Sequence, residues 1–125
     1  MAAKSILIVD DDHQVRKMLG RALTGKDYQV VEACNGIEAL KVFQQLERQL
    51  NLIIMDIIMP EKEGIETIRE IRQKNNDVKI LAISGGSPRL GAHISLKLAQ
   101  TIGANHILEK PFAITDLLRT VEELA

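Results

Sequence analysis

Leu52-Ile-Ile-Met-Asp56-Ile-Ile-Met-Pro60 sets the architecture expected of this chain. Four apolar residues, Leu52 to Met55, deliver one carboxylate at the point where the run stops. Pro60 lacks a backbone N–H and fixes its own φ, so a loop begins shortly after Asp56. A short apolar run bounded by turn signals reads as a strand buried on both faces, the kind found inside parallel sheets. Ligands and reactive groups in such sheets collect just beyond the carboxyl ends of the strands, and Asp56 stands at such an end.

The same pattern recurs on either side of this run. Ser5-Ile-Leu-Ile-Val9 is a β-branched apolar run ending in Asp10-Asp11-Asp12. Val15, Met18, Leu19, Ala22 and Leu23 follow at helical spacing, and Gly25 closes that helix. Tyr28 to Ala33 reads as a second strand. Asn35, with Glu38 three residues on, has the form of a helix N-terminal cap before the face Leu40, Phe43, Leu46. Beyond the Asp56 strand and a loop from Pro60 to Gly64, Ile65, Ile68 and Ile71 line a third helix. It fades into the polar turn Lys74 to Asp77. Lys79 to Ile83 is a fourth strand, ending in Ser84-Gly85-Gly86-Ser87-Pro88. A fourth helix carries Ile94, Leu98, Ala99 and Ile102, with Gly103 at its end. His106 to Leu108 is a fifth strand leading to Glu109-Lys110-Pro111-Phe112, and Ile114, Leu117, Leu118, Val121 and Leu124 mark the fifth helix.

Strand and helix thus alternate five times, which predicts parallel strands joined by right-handed crossovers with helices on both faces. The expected fold is a three-layer αβα sandwich around a doubly wound five-stranded sheet, with the flavodoxin-like order 2-1-3-4-5 as its natural member. A chain of 125 residues suits one domain, expected over residues 1–125. Its formal net charge of −1 and three aromatic residues, Tyr28, Phe43 and Phe112, argue against a nucleic-acid surface. The single Cys34 forms no internal disulfide and reads as a small filler residue in a reducing cytoplasm. No signal peptide and no membrane span is expected.

Parallel strands bring their carboxyl ends to one edge, which gathers Asp10, Asp11, Asp56, Ser84 and Lys110. Three neighbouring carboxylates repel one another unless a cation compensates. Mg²⁺ suits such hard oxygen ligands and leaves positions for water and phosphate oxygens. Lys110 offers charge and Ser84 a hydroxyl to an incoming phosphoryl group, and a carboxylate can itself be the nucleophile, giving an aspartyl phosphate. Asp56, central among the strand ends, is the best placed. Each residue alone has an ordinary reading as well: Asp12 as the N-cap of the first helix, Lys110 as a solvated loop lysine, Ser84 as turn chemistry. His13, His93 and His106 lack metal-ligand spacing. The conjunction, in order, of acid, acid, hydroxyl and amine is what carries the functional reading.

At this point the chain resembles the receiver domain of bacterial two-component response regulators over essentially its whole length. The resemblance lies in Ile6-Leu-Ile-Val-Asp-Asp-Asp12, Met55-Asp-Ile-Ile-Met-Pro60 with Gly64, Ala82-Ile-Ser84-Gly85, and Gly103-Ala104 leading to Lys110-Pro-Phe112. It implies a phosphorylation-dependent signalling switch. A sensor histidine kinase or phosphotransfer protein would donate a phosphoryl group to Asp56. Asp11, Asp56 and the Ile58 backbone carbonyl would bind Mg²⁺ directly, and Asp10 would hold a metal-bound water. Ser84 and Lys110 would contact the phosphoryl oxygens. The domain would catalyse only its own phosphorylation and dephosphorylation, and would signal through the fourth helix, fifth strand and fifth helix. Its output would be a downstream target protein, or an output domain if the chain is excised from a longer regulator.

Two departures from the family pattern stand out. Ile107 occupies the position, three residues before Lys110, where the family usually has Tyr or Phe, so an aromatic rotamer switch is absent there. The segment Gly85 to Gly91 is a few residues longer than usual and is a candidate for partner specificity. Two rival readings remain open from the residues. One is a haloacid-dehalogenase-like phosphatase with Asp10 as nucleophile and Asp12 beside it, although that leaves Asp56 unexplained and lacks a cap domain. The other is an adaptor that keeps the fold without phosphorylation.

Overall fold

The computed structural model describes residues 3–57, 64–84, 97, 100–101 and 103–125. Five strands form one parallel sheet in the order β2-β1-β3-β4-β5: β1 (Ser5–Val9), β2 (Gln29–Ala33), β3 (Leu50–Asp56), β4 (Lys79–Ser84) and β5 (His106–Glu109). The helices α1 (His13–Thr24), α2 (Gly36–Leu46) and α3 (Gly64–Lys74) follow the first three strands, and a C-terminal helix spans Ile114–Leu124. The expected sheet order is therefore the observed one. Of the fourth predicted helix, Lys97, Gln100 and Thr101 are helical. Its apolar face (Ile94, Leu98, Ala99, Ile102), the glycine-rich segment from 85 to 91, His93, the loop residues 60–63 and Ile58 lie outside the described residues.

Alternation along the strands sorts the core into two layers. Leu7, Val9, Ile53, Met55, Ile80 and Ala82 point to one face, where Ala39 and Phe43 of α2 and Ile68 and Ile71 of α3 cover them. Ile6, Ile8, Leu52, Ile54, Leu81 and Ile83 point to the other, beneath Leu19 and Leu23 of α1 and Leu117 and Val121 of the C-terminal helix. Central β3 is covered on both faces, so every residue in it except Asn51 is buried. This is why its sequence is a continuous apolar run rather than an alternating one. Truncation of a fully buried side chain here, such as Ile54 or Phe43, is expected to cost roughly 2–5 kcal/mol. Among the described residues no helix is long and apolar enough to cross a membrane.

The helix starts follow the local chemistry. Asp12 caps α1, its carboxylate accepting from the N–H of Gln14 and Val15, and Asn35 caps α2, accepting from the N–H of Glu38. Glu38 reaches back one residue further than the expected cap geometry and takes the N–H of Cys34 at 3.2 Å. The same carboxylate receives the Cys34 thiol, and that hydrogen bond, with some burial, holds the thiol above its ordinary pKa.

Candidate functional site

Strand register places the functional residues within two rungs of one another. Val9 pairs with Met55, so Asp10 and Asp56 are the next residues on adjacent strands. Asp56 pairs with Ile83, Ser84 pairs with Glu109, and Lys110 comes directly after. Asp56 and Ser84 are the last residues of β3 and β4, and Asp10 and Lys110 the first beyond β1 and β5; the apolar run ends at Val9 and Met55 on β1 and β3 and one rung later, at Ile83 and Leu108, on β4 and β5.

The resulting cluster is acidic and partly enclosed. Asp10, Asp11 and Asp56 offer carboxylate oxygens that all lie within 4.8 Å of one another. Asp10 is 0% and Asp56 5% exposed, whereas Asp11 opens to solvent. Lys110 Nζ donates to Asp10 Oδ2 at 3.1 Å and lies 3.7 Å from Asp56 Oδ2. Burial opposes the charge on Lys110, but Asp56, Asp10 and Asp11 outweigh it and raise the ammonium above the ordinary lysine pKa. Lys110 is therefore charged at neutral pH. Three carboxylates facing one ammonium leave two negative charges to be compensated. An all-oxygen donor set with that deficit fits a small divalent cation such as Mg²⁺.

Two backbone features hold these carboxylates in place. Asp10 Oδ1 accepts the N–H of Asp12 at 2.9 Å, which curls the Asp10-Asp11-Asp12 turn back on itself. Gly64, at the start of α3, lies so close to the end of β3 that an added Cβ would overlap the Asp56 carbonyl oxygen and the Cα of Ile57. Glycine there lets α3 begin directly against the strand that carries Asp56.

Asp10, Asp11, Asp56 and Lys110 are brought together as the sequence predicts. Ser84 ends β4 beside Glu109 by its backbone, while its side chain lies outside the described residues, as does the carbonyl of Ile58. Asp12 serves as a helix cap. His13 is the first residue of α1 and His106 the first of β5, both exposed. Arg16 joins the site although its position in the sequence marks only helix surface: its guanidinium donates to the backbone carbonyl of Asp10 at 2.6 Å. A side chain reaching back six residues to a carbonyl leaves no periodic mark, so no pattern in the sequence points to it.

The family model described as response regulator receiver domain matches residues 6–122. Among curated proteins, sensor kinase CckA of Brucella abortus is 33% identical over 96% of this chain and 12% of its own length. The probable transcriptional regulator ycf27 of Cyanidium caldarium is 36% identical over 95% of this chain and 45% of its own. The chain thus spans about half or less of these relatives. The chemotaxis protein CheY4 of Vibrio cholerae superimposes with a TM-score of 0.86 at 29% identity, covering 99% of this chain and 100% of that one. The haloacid-dehalogenase-like reading finds no support in these matches.

Proposed function

We propose that this chain, which belongs to the response regulator receiver domain family, is a single receiver domain over residues 1–125 whose phosphoacceptor is Asp56. What supports the assignment is the placement of Asp56 at the end of the central strand, beside two further carboxylates and 3.7 Å from the Lys110 ammonium. Asp11, Asp56 and the Ile58 carbonyl would hold Mg²⁺, with Asp10 reaching it through water. Bound there, the ion supplies compensating charge for the carboxylates and for the oxygens of the incoming phosphoryl group.

The chain's own groups do the rest. A carboxylate oxygen of Asp56 attacks phosphorus as the P–N bond of a partner's phosphohistidine breaks, and the imidazole leaves with the electron pair and takes up a proton. Lys110 and the Ser84 hydroxyl donate to the phosphoryl oxygens, which is most of what phosphoryl transfer asks of a protein. Lys110 now spans Asp10 and Asp56, so a phosphoryl group on Asp56 gives it a stronger acceptor and pulls the end of β5 inward. Ile107, half-buried against the α2–α3 side of the core, carries that shift by packing rather than by an aromatic rotamer. The donor would be a sensor histidine kinase or phosphotransfer protein in the cytoplasm. The chain's output would pass to a target protein or an attached output domain. The domain acts as a signalling phosphoacceptor rather than as an enzyme on a diffusible substrate.

Intact-mass spectrometry after incubation with phosphoramidate tests this directly. A single phosphoryl adduct is expected with Mg²⁺, none with the metal chelated, and none in Asp56→Asn. An adduct that survives in Asp56→Asn would move the nucleophile elsewhere. No adduct on folded wild type with Mg²⁺ bound would favour a phosphorylation-independent adaptor.

A further inference from the structure

Arg16 stands one turn into α1, yet its side chain is only 13% exposed because the guanidinium is spread over partners from separate elements. Nη1 donates to the Asp10 carbonyl at 2.6 Å, Nε donates to Glu32 Oε1 at 3.1 Å, and Nη2 lies 3.3 Å from His13 Nδ1. Glu32 sits in β2 opposite Ile8, one rung before the β1–β2 pairing ends. The guanidinium therefore ties α1 to the sheet edge across the turn that bears the acids.

The bond to the Asp10 carbonyl falls at a sensitive place. The N–H of Asp10 donates to the Ala33 carbonyl at 3.2 Å, extending the strand pairing one step past β1. Its Oδ1 accepts from Asp12 N–H at 2.9 Å and its Oδ2 from Lys110 at 3.1 Å. Arg16 supplies the remaining restraint, on the carbonyl. That oxygen and the N–H of Asp11 belong to one rigid peptide plane. Fixing the oxygen fixes the plane from which the Asp11 Cα hangs, and so the direction in which Asp11 leaves the backbone.

We infer that Arg16 is a positioning residue for the cation site: by clamping the Asp10–Asp11 peptide against Glu32 it aims the two carboxylates at Asp56. The inference rests on the reading of Asp10, Asp11 and Asp56 as the Mg²⁺ site. Charge and geometry make opposite demands here, which gives the test its edge. As a positive charge near a cation site, Arg16 opposes Mg²⁺, and its removal would tighten binding. As a clamp, it preorganises the ligands, and its removal weakens binding.

The decisive measurement is calorimetric titration of the unphosphorylated protein with MgCl₂, at a temperature where each protein is shown to be folded. Arg16→Met keeps the aliphatic stem and its packing but removes the fork. It is expected to bind Mg²⁺ about tenfold more weakly, the scale on which residues behind metal ligands act. Equal or tighter binding in a folded Arg16→Met would overturn the inference. If that variant does not fold, Arg16→Lys decides instead, since it keeps the charge but not the planar fork. Weaker Mg²⁺ binding by the lysine variant supports the clamp, and unchanged binding removes it. Wild type and Asp11→Asn are titrated alongside. Wild type that fails to bind Mg²⁺, or Asp11→Asn that binds as wild type does, would sink the metal-site premise itself, a different result from a failure at Arg16.

Discussion

Two charged groups are drawn into this molecule at opposite ends of the sheet, and they are treated in opposite ways. At the amino end of β4, Arg72 of α3 is surrounded by acceptors. Nε donates to the Gly103 carbonyl at 2.9 Å, Nη1 to the carbonyls of Asn75 and Val78 at 3.2 and 2.6 Å, and Nη2 to Asn105 Oδ1 at 2.8 Å. At the carboxyl end, Lys110 is shared among carboxylates that outnumber it. The first cluster uses its hydrogen-bonding capacity on the fold. The second keeps a charge deficit, which costs stability until a ligand arrives. Structural and functional charge are thus told apart by what is left to satisfy, since both kinds are partly buried.

Breaking the Arg72 end should have the largest effect on stability. Arg72→Met withdraws donors from three backbone carbonyls and from Asn105, which also holds the N–H of Ile80 at 2.8 Å. The expected loss is about 3 kcal/mol, read by urea denaturation. Burial lowers the Arg72 guanidinium from its ordinary value, with Asp77 opposing, but a guanidinium stays charged throughout the usable pH range. At a temperature where Arg72→Met is folded, phosphorylation of Asp56 should proceed. A folded variant with normal stability would remove the contrast between the two ends. Gly103 belongs to the same staple: its φ of 129° and a Cβ that would meet Arg72 Cγ at 2.7 Å leave room for glycine alone.

At the carboxyl end, ligand and mutation should act with crossing signs. Mg²⁺ at about one hundred times its Kd should stabilise wild type by about 2.7 kcal/mol, through preferential binding to the native state. In Asp56→Asn most of that gain should vanish. Without Mg²⁺ the order reverses, and Asp56→Asn should be more stable than wild type by about 1 kcal/mol, since one of three crowded carboxylates is gone. Thermal melts of both proteins with and without the metal would show the curves exchange places. A wild type more stable than the variant in chelator would mean that Lys110 already compensates the cluster.

Much of this contrast was legible in the residues. Apolar runs from Ile6 to Val9 and from Leu52 to Met55, each stopped by acid, announce buried parallel strands, and the topology then converges their ends without further information. Boundaries moved by a residue or two: β3 begins at Leu50, and β4 and β5 each gain a final residue, Ser84 and Glu109, because ladder pairing rather than hydropathy sets where a strand stops. Arg16 and Arg72 were not legible as anything but helix surface. Both act in part on backbone carbonyls, which every residue possesses, and their side-chain acceptors, Glu32 and Asn105, lie 16 and 33 residues away, so no local pattern betrays the contact. The role of Gly64 as the place where α3 presses on Asp56 likewise depends on a close approach that only the folded chain creates.

A smaller effect should separate the first and last of the three acids after β1. Asp12 and Asp10 are two residues apart, and a phosphatase-like chemistry would employ both. Here Asp12 Oδ1 accepts from Gln14 N–H at 2.9 Å and Val15 N–H at 3.4 Å, the work of a helix cap. Its contribution to Asp10 is made by its backbone N–H, which any residue other than proline supplies. Asp12→Ala should therefore cost about 1 kcal/mol, lowering the midpoint of thermal unfolding by about 4 °C for a domain of this size. The phosphoryl adduct on Asp56 should form to the same extent as in wild type. Loss of the adduct from a folded Asp12→Ala would give the Asp12 carboxylate a part in the chemistry, and the boundary between structural and functional charge would then run on the far side of Asp12.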